Sequence, residues 1–244
     1  MKGLRALWRM LIGFGHVLRG LAIIIVRFPR MTQHQRNLRV QVWAAEMLGI
    51  LGITLKVTGQ PPVSGPALLV ANHISWLDIL VMHAARHCRF VSKSDVKHWP
   101  LIGRLATGAG TLYIERESRR DALRVVHHMA DSLRGGDVVA VFPEGTTGDG
   151  RAMLPFHANL MQAAISAPAP LQPVGMRFVD AATGETSFAP SYIGDETLIG
   201  SIWRTLTAPP IVAVVNFGEP CEPQGDRRAL SRLMHAQVDS LRKL

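Results

Sequence analysis

Acidic residues are absent from the first 45 positions of this chain. Lysine and arginine occur there repeatedly before the first carboxylate at Glu46, and the remainder of the sequence is close to neutral. A nucleic-acid-binding protein more usually carries its basic surface on the folded domain, with aromatic residues for stacking. Here the basic residues are instead interspersed among the residues of an apolar segment. The distribution therefore favours an anionic membrane surface over nucleic acid as the partner.

Cysteine is scarce, and several well-known catalytic motifs are missing. Cys88 and Cys221 are the only cysteines and do not have the spacing of metal ligands, so we expect two buried thiols and no disulfide framework. The chain contains no Gly-x-Ser-x-Gly and no His-Glu-x-x-His motif, which argues against a serine hydrolase and a zinc hydrolase. The glycines between Gly145 and Gly150 lack the lysine of a nucleotide-binding loop.

The apolar segment at residues 4–26 predicts a helix associated with a membrane. His16 and Arg19 interrupt it, and an arginine at the centre of a spanning helix costs roughly 2.5–3.5 kcal/mol. We therefore favour a helix lying in the interface over one that crosses the bilayer. A cleaved signal peptide competes, although Arg27 and Arg30 occupy the place of a cleavage site. An amphipathic helix packed on the protein's own core is the third interpretation.

The rest of the chain alternates short apolar runs with amphipathic segments. This pattern predicts an α/β protein with a mostly parallel central sheet flanked by helices. We expect an N-terminal helical membrane-association element at 1–52, completed by a second helix from 33 to about 49, and an α/β domain at 53–244. The expected strands lie at 53–57, 67–71, 89–92, 111–114, 138–142, 174–179 and 211–217, and the expected later helices include 100–109, 121–133, 158–165 and 198–206.

Three polar side chains lie two residues after the ends of predicted strands, namely His73, Arg116 and Glu144. In such sheets the catalytic and ligand-binding residues lie where the strands end. His73 precedes Asp78 by five residues, so the carboxylate can fold back to the imidazole, fix its tautomer and favour the imidazolium. Such a pair lacks a nucleophile of its own and would activate a hydroxyl of the substrate. Taken alone, it is also the pattern of a structural histidine with a nearby carboxylate.

Four blocks in order carry a resemblance to a known family. They read NHISWLD at 72–78, GTLYIER at 110–116, FPEGT at 142–146 and Pro-Val at 173–174. In sequence and spacing they resemble the glycerolipid acyltransferases, and among these the bacterial 1-acyl-sn-glycerol-3-phosphate acyltransferases. A lone histidine and aspartate would be a weak signal, whereas four ordered blocks are a specific one.

The resemblance implies transfer of a fatty acyl group from acyl-CoA or acyl carrier protein to the free hydroxyl of a lysophospholipid, giving phosphatidic acid in phospholipid biosynthesis. It also implies an enzyme without a metal or bound cofactor, held on the inner membrane as a peripheral or monotopic protein with its active site on the cytoplasmic side. A thioester is already activated, so the enzyme needs a base, donors for the oxyanion and a place for an anionic head group.

The resemblance assigns His73 as the general base and Asp78 as its orienting partner. The predicted substrate-binding residues are Asn72, Ser75, Lys93, Arg116, Glu144, Gly145 and Thr146.

Each binding residue has a simpler alternative or a specific expected task. Asn72 and Ser75 shape the turn or line the site. Arg116 grips a phosphate or forms a surface ion pair. Glu144 binds a hydroxyl or organises Arg116, and Gly145 lets the backbone approach a ligand. Lys93 holds a phosphate or polarises the thioester oxygen, or is simply solvated.

One position departs from the family pattern. Many phosphatidate-forming members have an arginine directly after the FPEGT block, where this chain has Thr147. Arg151 or Lys93 is a potential substitute for the missing guanidinium. Another lysolipid acceptor, such as lyso-ornithine lipid, would explain the change equally well. A non-enzymatic basic membrane adaptor is the remaining alternative from a different functional class.

Overall fold

One sheet organises the molecule. The computed structural model describes residues 2–114 and 119–244. Within these ranges the sheet has seven strands in the spatial order β1-β7-β6-β2-β5-β3-β4. Every neighbouring pair is parallel except β6 with β7. The strands are β1 (Ile53–Thr58), β2 (Ala67–Ala71), β3 (Arg89–Lys93), β4 (Leu112–Ile114), β5 (Val138–Val141), β6 (Leu171–Asp180) and β7 (Ile211–Phe217).

Helices cover both faces of the sheet, which confirms the predicted α/β architecture. Leu68 and Val70 of β2 pack on one side with the helices at 119–134, 162–166 and 227–241, whereas Leu69 and Ala71 pack on the other with the helices at 33–51 and 77–85. Burial on both faces explains why β2 is a continuous apolar run. The helices are α1 (Lys2–Val26), α2 (Gln33–Leu51), α3 (Leu77–Ala85), α4 (Ile102–Gly108), α5 (Arg119–Arg134), α6 (Gln162–Ser166), α7 (Leu198–Thr207) and α8 (Arg227–Leu241).

The observed boundaries differ from the predicted ones where the chain leaves an element. Strand β5 ends at Val141, so Phe142 belongs to the loop that follows it. Strand β6 begins three residues earlier than predicted, because residues 171–173 already pair with β2, and it ends one residue later, at Asp180. The predicted thiol burial was wrong for one cysteine: Cys88 is buried, whereas Cys221 is only half-buried.

The N-terminal helices α1 and α2 pack together through the polar residues that interrupt the apolar segment. The indole N–H of Trp43 donates to the carbonyl of His16 over 3.1 Å, and Nε2 of His16 lies 3.0 Å from the Trp43 carbonyl oxygen. A β-carbon on Gly20 would lie 2.7 Å from the Trp43 indole nitrogen, so only glycine permits this approach. Arg19 pairs with Glu46 over 3.2 Å. The interruptions therefore face the partner helix.

The outward face of α1 is apolar and solvent-exposed. By length and hydropathy the helix is able to cross a membrane, and most of it is not buried in the protein. Its exposed large side chains are Leu4, Leu7, Trp8, Leu11, Ile12, Phe14, Leu18, Ile25 and Val26. The inner face of α2 contributes Met47, Leu48 and Leu51 to the same core as the sheet. The domain division at residue 52 stays a prediction.

Candidate active site

His73 and Asp78 meet in the turn that joins β2 to α3. Nδ1 of His73 lies 2.8 Å from Oδ2 of Asp78. The Asp78 carboxyl is fully buried at the first turn of α3, whereas the His73 side chain remains 19% exposed. A carboxylate at a helix N-terminus is stabilised by the helix dipole. The turn thus places a buried carboxylate against one nitrogen of an imidazole that remains partly exposed to solvent.

A single carboxylate oxygen of Asp78 organises this turn. Besides the imidazole, Oδ2 accepts the backbone N–H groups of Ile74 over 2.6 Å and Ser75 over 2.9 Å. The other oxygen, Oδ1, is buried and has no hydrogen-bond partner among the described residues. Three donors on one oxygen fix both the backbone of the turn and the plane of the imidazole. Asp78 is therefore a structural residue of the turn as well as the partner of His73.

This geometry sets the tautomer of His73. An ionised carboxylate only accepts, so the proton of the neutral imidazole resides on Nδ1 and the lone pair on Nε2. Nε2 has no hydrogen-bond partner within the described part of the chain. A base with a free lone pair and a buried anion behind it can take a proton from a hydroxyl and stabilise the resulting imidazolium.

Phe142 fixes the face of the imidazole. Its ring is stacked on that of His73 with 4.0 Å between centroids and 5° between planes. Phe90 stacks in turn against Phe142 at 5.5 Å. A ring pair of this kind contributes about 0.5–1.5 kcal/mol beyond its buried area. Phe142 was predicted to lie in a strand, and its place in the FPEGT block was the available signal for a functional role.

Glu144 ties the loop after β5 to the catalytic turn. Oε1 accepts the backbone N–H of His73 and Oε2 accepts that of Leu154, each over 2.7 Å. Burial raises the pKa of the Glu144 carboxyl above its ordinary value, while the two N–H donors act in the opposite direction. Both carboxylate oxygens accept backbone N–H groups, so in the described contacts Glu144 connects the catalytic turn with the loop that contains Leu154. Its predicted role toward the acceptor stays a prediction.

Asn72 and Ser75 are both buried and are both engaged within the protein. The Asn72 amide pairs with the backbone of Met176 on β6, donating over 3.0 Å and accepting over 2.8 Å. The Ser75 hydroxyl oxygen accepts the N–H of Leu77 over 3.1 Å at the start of α3. Of the two interpretations left open for these residues, the contacts favour shaping the turn. Their part in binding substrate is untested.

The loop after Glu144 bends back over His73. Gly145 adopts a left-handed backbone conformation with φ of 74°, and the N–H of Gly148 donates to the His73 carbonyl over 2.8 Å. Thr146 is exposed. The Thr147 hydroxyl donates to the carbonyl of Tyr192, so its side chain is anchored to the segment before α7. The residue that replaces the family's arginine thus has a structural partner here.

The remaining cationic candidates lie at different distances from the turn along the sheet. Lys93 is exposed at the end of β3, on the edge where β2 and β5 also end but two strands away from β2. Arg116 lies outside the described residues. Arg151 stacks on the Phe188 ring at 4.4 Å and pairs with Asp149 over 3.2 Å.

Arg151 also lines a cavity beside the catalytic turn. The cavity has a volume of about 410 Å³ and is shared by Ile74, Arg151, Arg177, Phe188 and Arg242 among others. Ile74 follows His73 directly in the chain. An anionic group in this cavity would meet guanidinium groups suited to phosphate or carboxylate. Arg151 was predicted as a substitute cation, whereas no sequence signal indicated Arg177 or Arg242.

Comparisons with known proteins show the family of this chain and agree with its fold. Residues 54–177 match the family profile described as Acyltransferase. That match spans His73, Asp78 and Glu144. The chain belongs to the acyltransferase family. The acyltransferase activity predicted from the motif blocks is thereby confirmed, and the protein is an enzyme of this class.

Two groups of relatives of the acyltransferase differ in their named acceptor. The 1-acyl-sn-glycerol-3-phosphate acyltransferase of Neisseria gonorrhoeae is 38% identical over 184 residues, which cover 75% of this chain and 71% of that protein. The lyso-ornithine lipid O-acyltransferase of Pseudomonas aeruginosa is 36% identical over 191 residues, 78% of this chain and 72% of that protein. The crystal structure of the 1-acyl-sn-glycerophosphate acyltransferase from Thermotoga maritima shares the fold, with a TM-score of 0.72, 19% identity and coverage of 99% and 96%.

Proposed function

We propose that the protein transfers a fatty acyl group from a thioester to the free hydroxyl of a lysolipid, with His73 as general base. The observation that best supports this role is the contact of Asp78 with Nδ1 of His73. It leaves the lone pair on Nε2 of His73, which has no partner among the described residues, on a ring that is partly exposed. The hydroxyl proton passes to Nε2 as the oxygen attacks the thioester carbonyl. The oxyanion then collapses and expels the thiolate of coenzyme A or acyl carrier protein. The imidazolium returns the proton to that sulfur.

The proposed acceptor is 1-acyl-sn-glycerol-3-phosphate, and the product is phosphatidic acid. The relatives named for this acceptor support it, as does the cavity with Arg151 and Arg177 beside the catalytic turn. No metal or bound cofactor enters the proposal, because the thioester supplies the activation. The predicted phosphate contact of Arg116 is retained as part of it.

Lyso-ornithine lipid is the second candidate acceptor. Thr147 stands at the position of the expected phosphate-binding arginine, and its hydroxyl is committed to Tyr192. Relatives that are 34–36% identical to this chain are named for this acceptor. The head group of lyso-ornithine lipid bears a carboxylate and an ammonium, and Arg151 with Asp149 offers both complementary charges.

We further propose that the enzyme works at the inner membrane, on the cytoplasmic side where acyl thioesters are made. The exposed apolar face of α1 and the basic residues around it, without acidic residues before Glu46, support an interfacial anchor on anionic lipid. His16 and Arg19 face α2, so the outward face of α1 is uninterrupted by them.

An acyl-transfer assay on the purified enzyme in detergent tests the proposal. Labelled acyl-CoA or acyl carrier protein is offered with lysophosphatidate, lyso-ornithine lipid, glycerol 3-phosphate and lysophosphatidylcholine. We expect transfer to lysophosphatidate, with Arg151→Gln raising the KM for that acceptor about tenfold and leaving the KM for the donor unchanged. Arg134→Gln, which removes an exposed arginine paired with Asp131, is the matched control. Transfer to lyso-ornithine lipid alone would establish the second candidate, and transfer to none would refute both.

A further inference from the structure

Helix α7 has one buried polar face and one exposed apolar face. Ser201 and Thr205 are buried at 0% and 4% exposure, whereas Ile199 and Trp203 are 68% and 42% exposed. Ile199 and Trp203 are four residues apart and therefore lie on the same side of the helix. Single exposed apolar side chains are ordinary, whereas a contiguous exposed apolar patch marks an interaction or membrane-binding surface.

The exposed face of α7 adjoins the exposed face of α1. A β-carbon on Gly3 would lie 3.7 Å from two carbons of the Trp203 indole, so the first turn of α1 packs beside α7. Leu4 and Leu7, which are 76% and 58% exposed, occupy that same end of α1. The apolar surface of α1 therefore continues onto α7 through Trp203.

The charges around the joined exposed faces of α1 and α7 indicate what binds to this surface. Lys2 and Arg5 are exposed on the first turns of α1. Glu196, which lies just before α7, is paired with Arg204. A surface that combines apolar side chains with basic ones is complementary to an anionic lipid leaflet. Tryptophan in particular is enriched at the membrane interface.

The opposite face of α7 holds the catalytic turn. The indole N–H of Trp76 donates to the Ser201 hydroxyl over 3.2 Å. Trp76 belongs to the turn between His73 and Asp78. One helix thus connects the exposed apolar surface with the residues that position the general base.

We propose that α7 is a second membrane-contacting element, which inserts Ile199 and Trp203 into the anionic leaflet beside α1 and seats the catalytic turn at the lipid surface. The inference rests on the membrane association proposed above and adds a contact outside the N-terminal helices. It accounts for the exposed side chains of α7 and for the Trp76–Ser201 hydrogen bond in one arrangement. A lysolipid leaving the leaflet beside α7 would arrive next to His73.

Tryptophan quenching tests the proposal directly. The protein has five tryptophans, and lipids brominated on the acyl chain quench only those that enter the bilayer. Vesicles of phosphatidylethanolamine and phosphatidylglycerol with brominated chains are added to the wild type, Trp203→Phe and Trp76→Phe. Removing a quenched tryptophan lowers the quenched fraction of the emission, whereas removing an unquenched one raises it. We expect Trp203→Phe to lower the fraction and Trp76→Phe to raise it. A fraction that is unchanged or raised in Trp203→Phe would overturn the proposal.

Vesicle partitioning of charged variants gives an independent measurement. Ile199→Glu and Trp203→Glu each remove a buried contact with the leaflet and add a repelled charge, so we expect partitioning to fall about tenfold. Leu233→Glu changes an exposed leucine on α8, which packs on the other face of the sheet, and serves as the matched control. Thermal unfolding verifies that each variant is folded. Equal partitioning of all three variants and the wild type would assign the face of α7 to another occupant and refute the proposal.

These measurements do not depend on catalysis. Acyl transfer in detergent tests the proposed function without vesicles, whereas quenching and partitioning test α7 without substrate. A protein that transfers acyl groups in detergent but leaves Trp203 unquenched contradicts only the inference about α7. A protein that shows quenching of Trp203 but no acyl transfer contradicts only the proposed reaction.

Discussion

The imidazole of His73 lies flat against the ring of Phe142, 4.0 Å away between centroids. With Nδ1 held by Asp78, this contact leaves the ring one orientation, in which Nε2 faces the open side of the turn. The positions of the base and of its orienting carboxylate are therefore coupled to the loop that follows β5. That loop also carries Glu144, whose carboxylate accepts the N–H of His73.

Phe142→Leu is expected to lower kcat about three- to tenfold, because the stacking contact of roughly 0.5–1.5 kcal/mol no longer holds the imidazole plane. The KM for both substrates should change little, since Phe142 acts through His73. Phe142→Tyr keeps the ring and is the control. Steady-state kinetics in detergent separates the two effects. A raised KM at unchanged kcat in Phe142→Leu would assign the ring to substrate binding.

Asp78→Asn separates charge from geometry. All three donors converge on one oxygen of Asp78, so an asparagine amide oxygen at that place can still accept them. We expect the free energy of unfolding to change by less than about 1 kcal/mol, while kcat falls about a hundredfold because the imidazolium loses its counter-charge.

Asp78→Ala is the matched comparison for that variant. Alanine removes the negative charge and also the acceptor of three hydrogen bonds. At about 1 kcal/mol for each lost hydrogen bond, the variant should be less stable than the wild type by roughly 3 kcal/mol. Denaturant unfolding and initial rates measure both quantities. Wild-type kcat in Asp78→Asn would show that the negative charge is dispensable.

Glu144→Gln should destabilise the protein by about 1–3 kcal/mol, because one of the two backbone N–H groups would face an amide N–H₂. The direction in which the stability contributed by Glu144 changes with pH also follows. The folded state binds the Glu144 proton more tightly than the unfolded state, since burial raises its pKa. Stability from this group is therefore lost as pH rises from the ordinary glutamate pKa through the raised one. Urea unfolding across that range should show this slope in the wild type and in the exposed-site control Glu185→Gln, and not in Glu144→Gln.

His83 and His87 predict acid sensitivity. Burial, and for His83 the neighbouring His87, lowers the pKa of His83 to about 3, and burial lowers that of His87 to about 4. The unfolded chain takes up protons near the ordinary pKa of 6.5 and the folded chain does not. Stability is therefore present above that value and is lost as pH falls toward the depressed values, at about 2 kcal/mol per histidine by roughly pH 5.

His83→Leu should recover about 2 kcal/mol near pH 5, because Nδ1 of His83 has no partner to lose among the described residues. The exposed His128→Gln is the control and should leave the acid profile as it is. Urea unfolding at neutral and acidic pH measures the difference. Parallel pH profiles of His83→Leu and the wild type would contradict the assignment.

The sequence was informative where local pattern and topology coincide. The continuous run at β2 and the following turn predicted a buried strand with His73 at its end, and parallel strand ends predicted that Glu144 would lie nearby. Contacts between distant segments carried no such signal. The pairing of Asn72 with Met176, the anchoring of Thr147 on Tyr192 and the hydrogen bond from Trp76 to Ser201 join segments far apart in the chain. No periodicity encodes them.

The same limit explains the N-terminal helix. Hydropathy showed His16 and Arg19 as interruptions of an apolar segment and could not show that both face α2. Their partners, Trp43 and Glu46, come 27 residues later. The exposed face of α7 was equally hidden, because Ile199 and Trp203 are ordinary core residues in a sequence pattern and become surface only in the packed molecule.

The proposed mechanism requires His73 to remove the proton of the acceptor hydroxyl. Its most direct test is the rate of acyl transfer by His73→Ala in detergent, measured beside the wild type with both substrates saturating. General-base catalysis contributes about 10²–10⁴-fold, so the variant should lose at least a hundredfold in kcat. It should fold and still bind vesicles, but be less stable than the wild type by about 1–3 kcal/mol, because the substitution removes the hydrogen bond to Asp78 and the stacking on Phe142. A His73→Ala variant that keeps its rate within a few-fold would contradict the mechanism, and the acyl transfer would have to be assigned to another base.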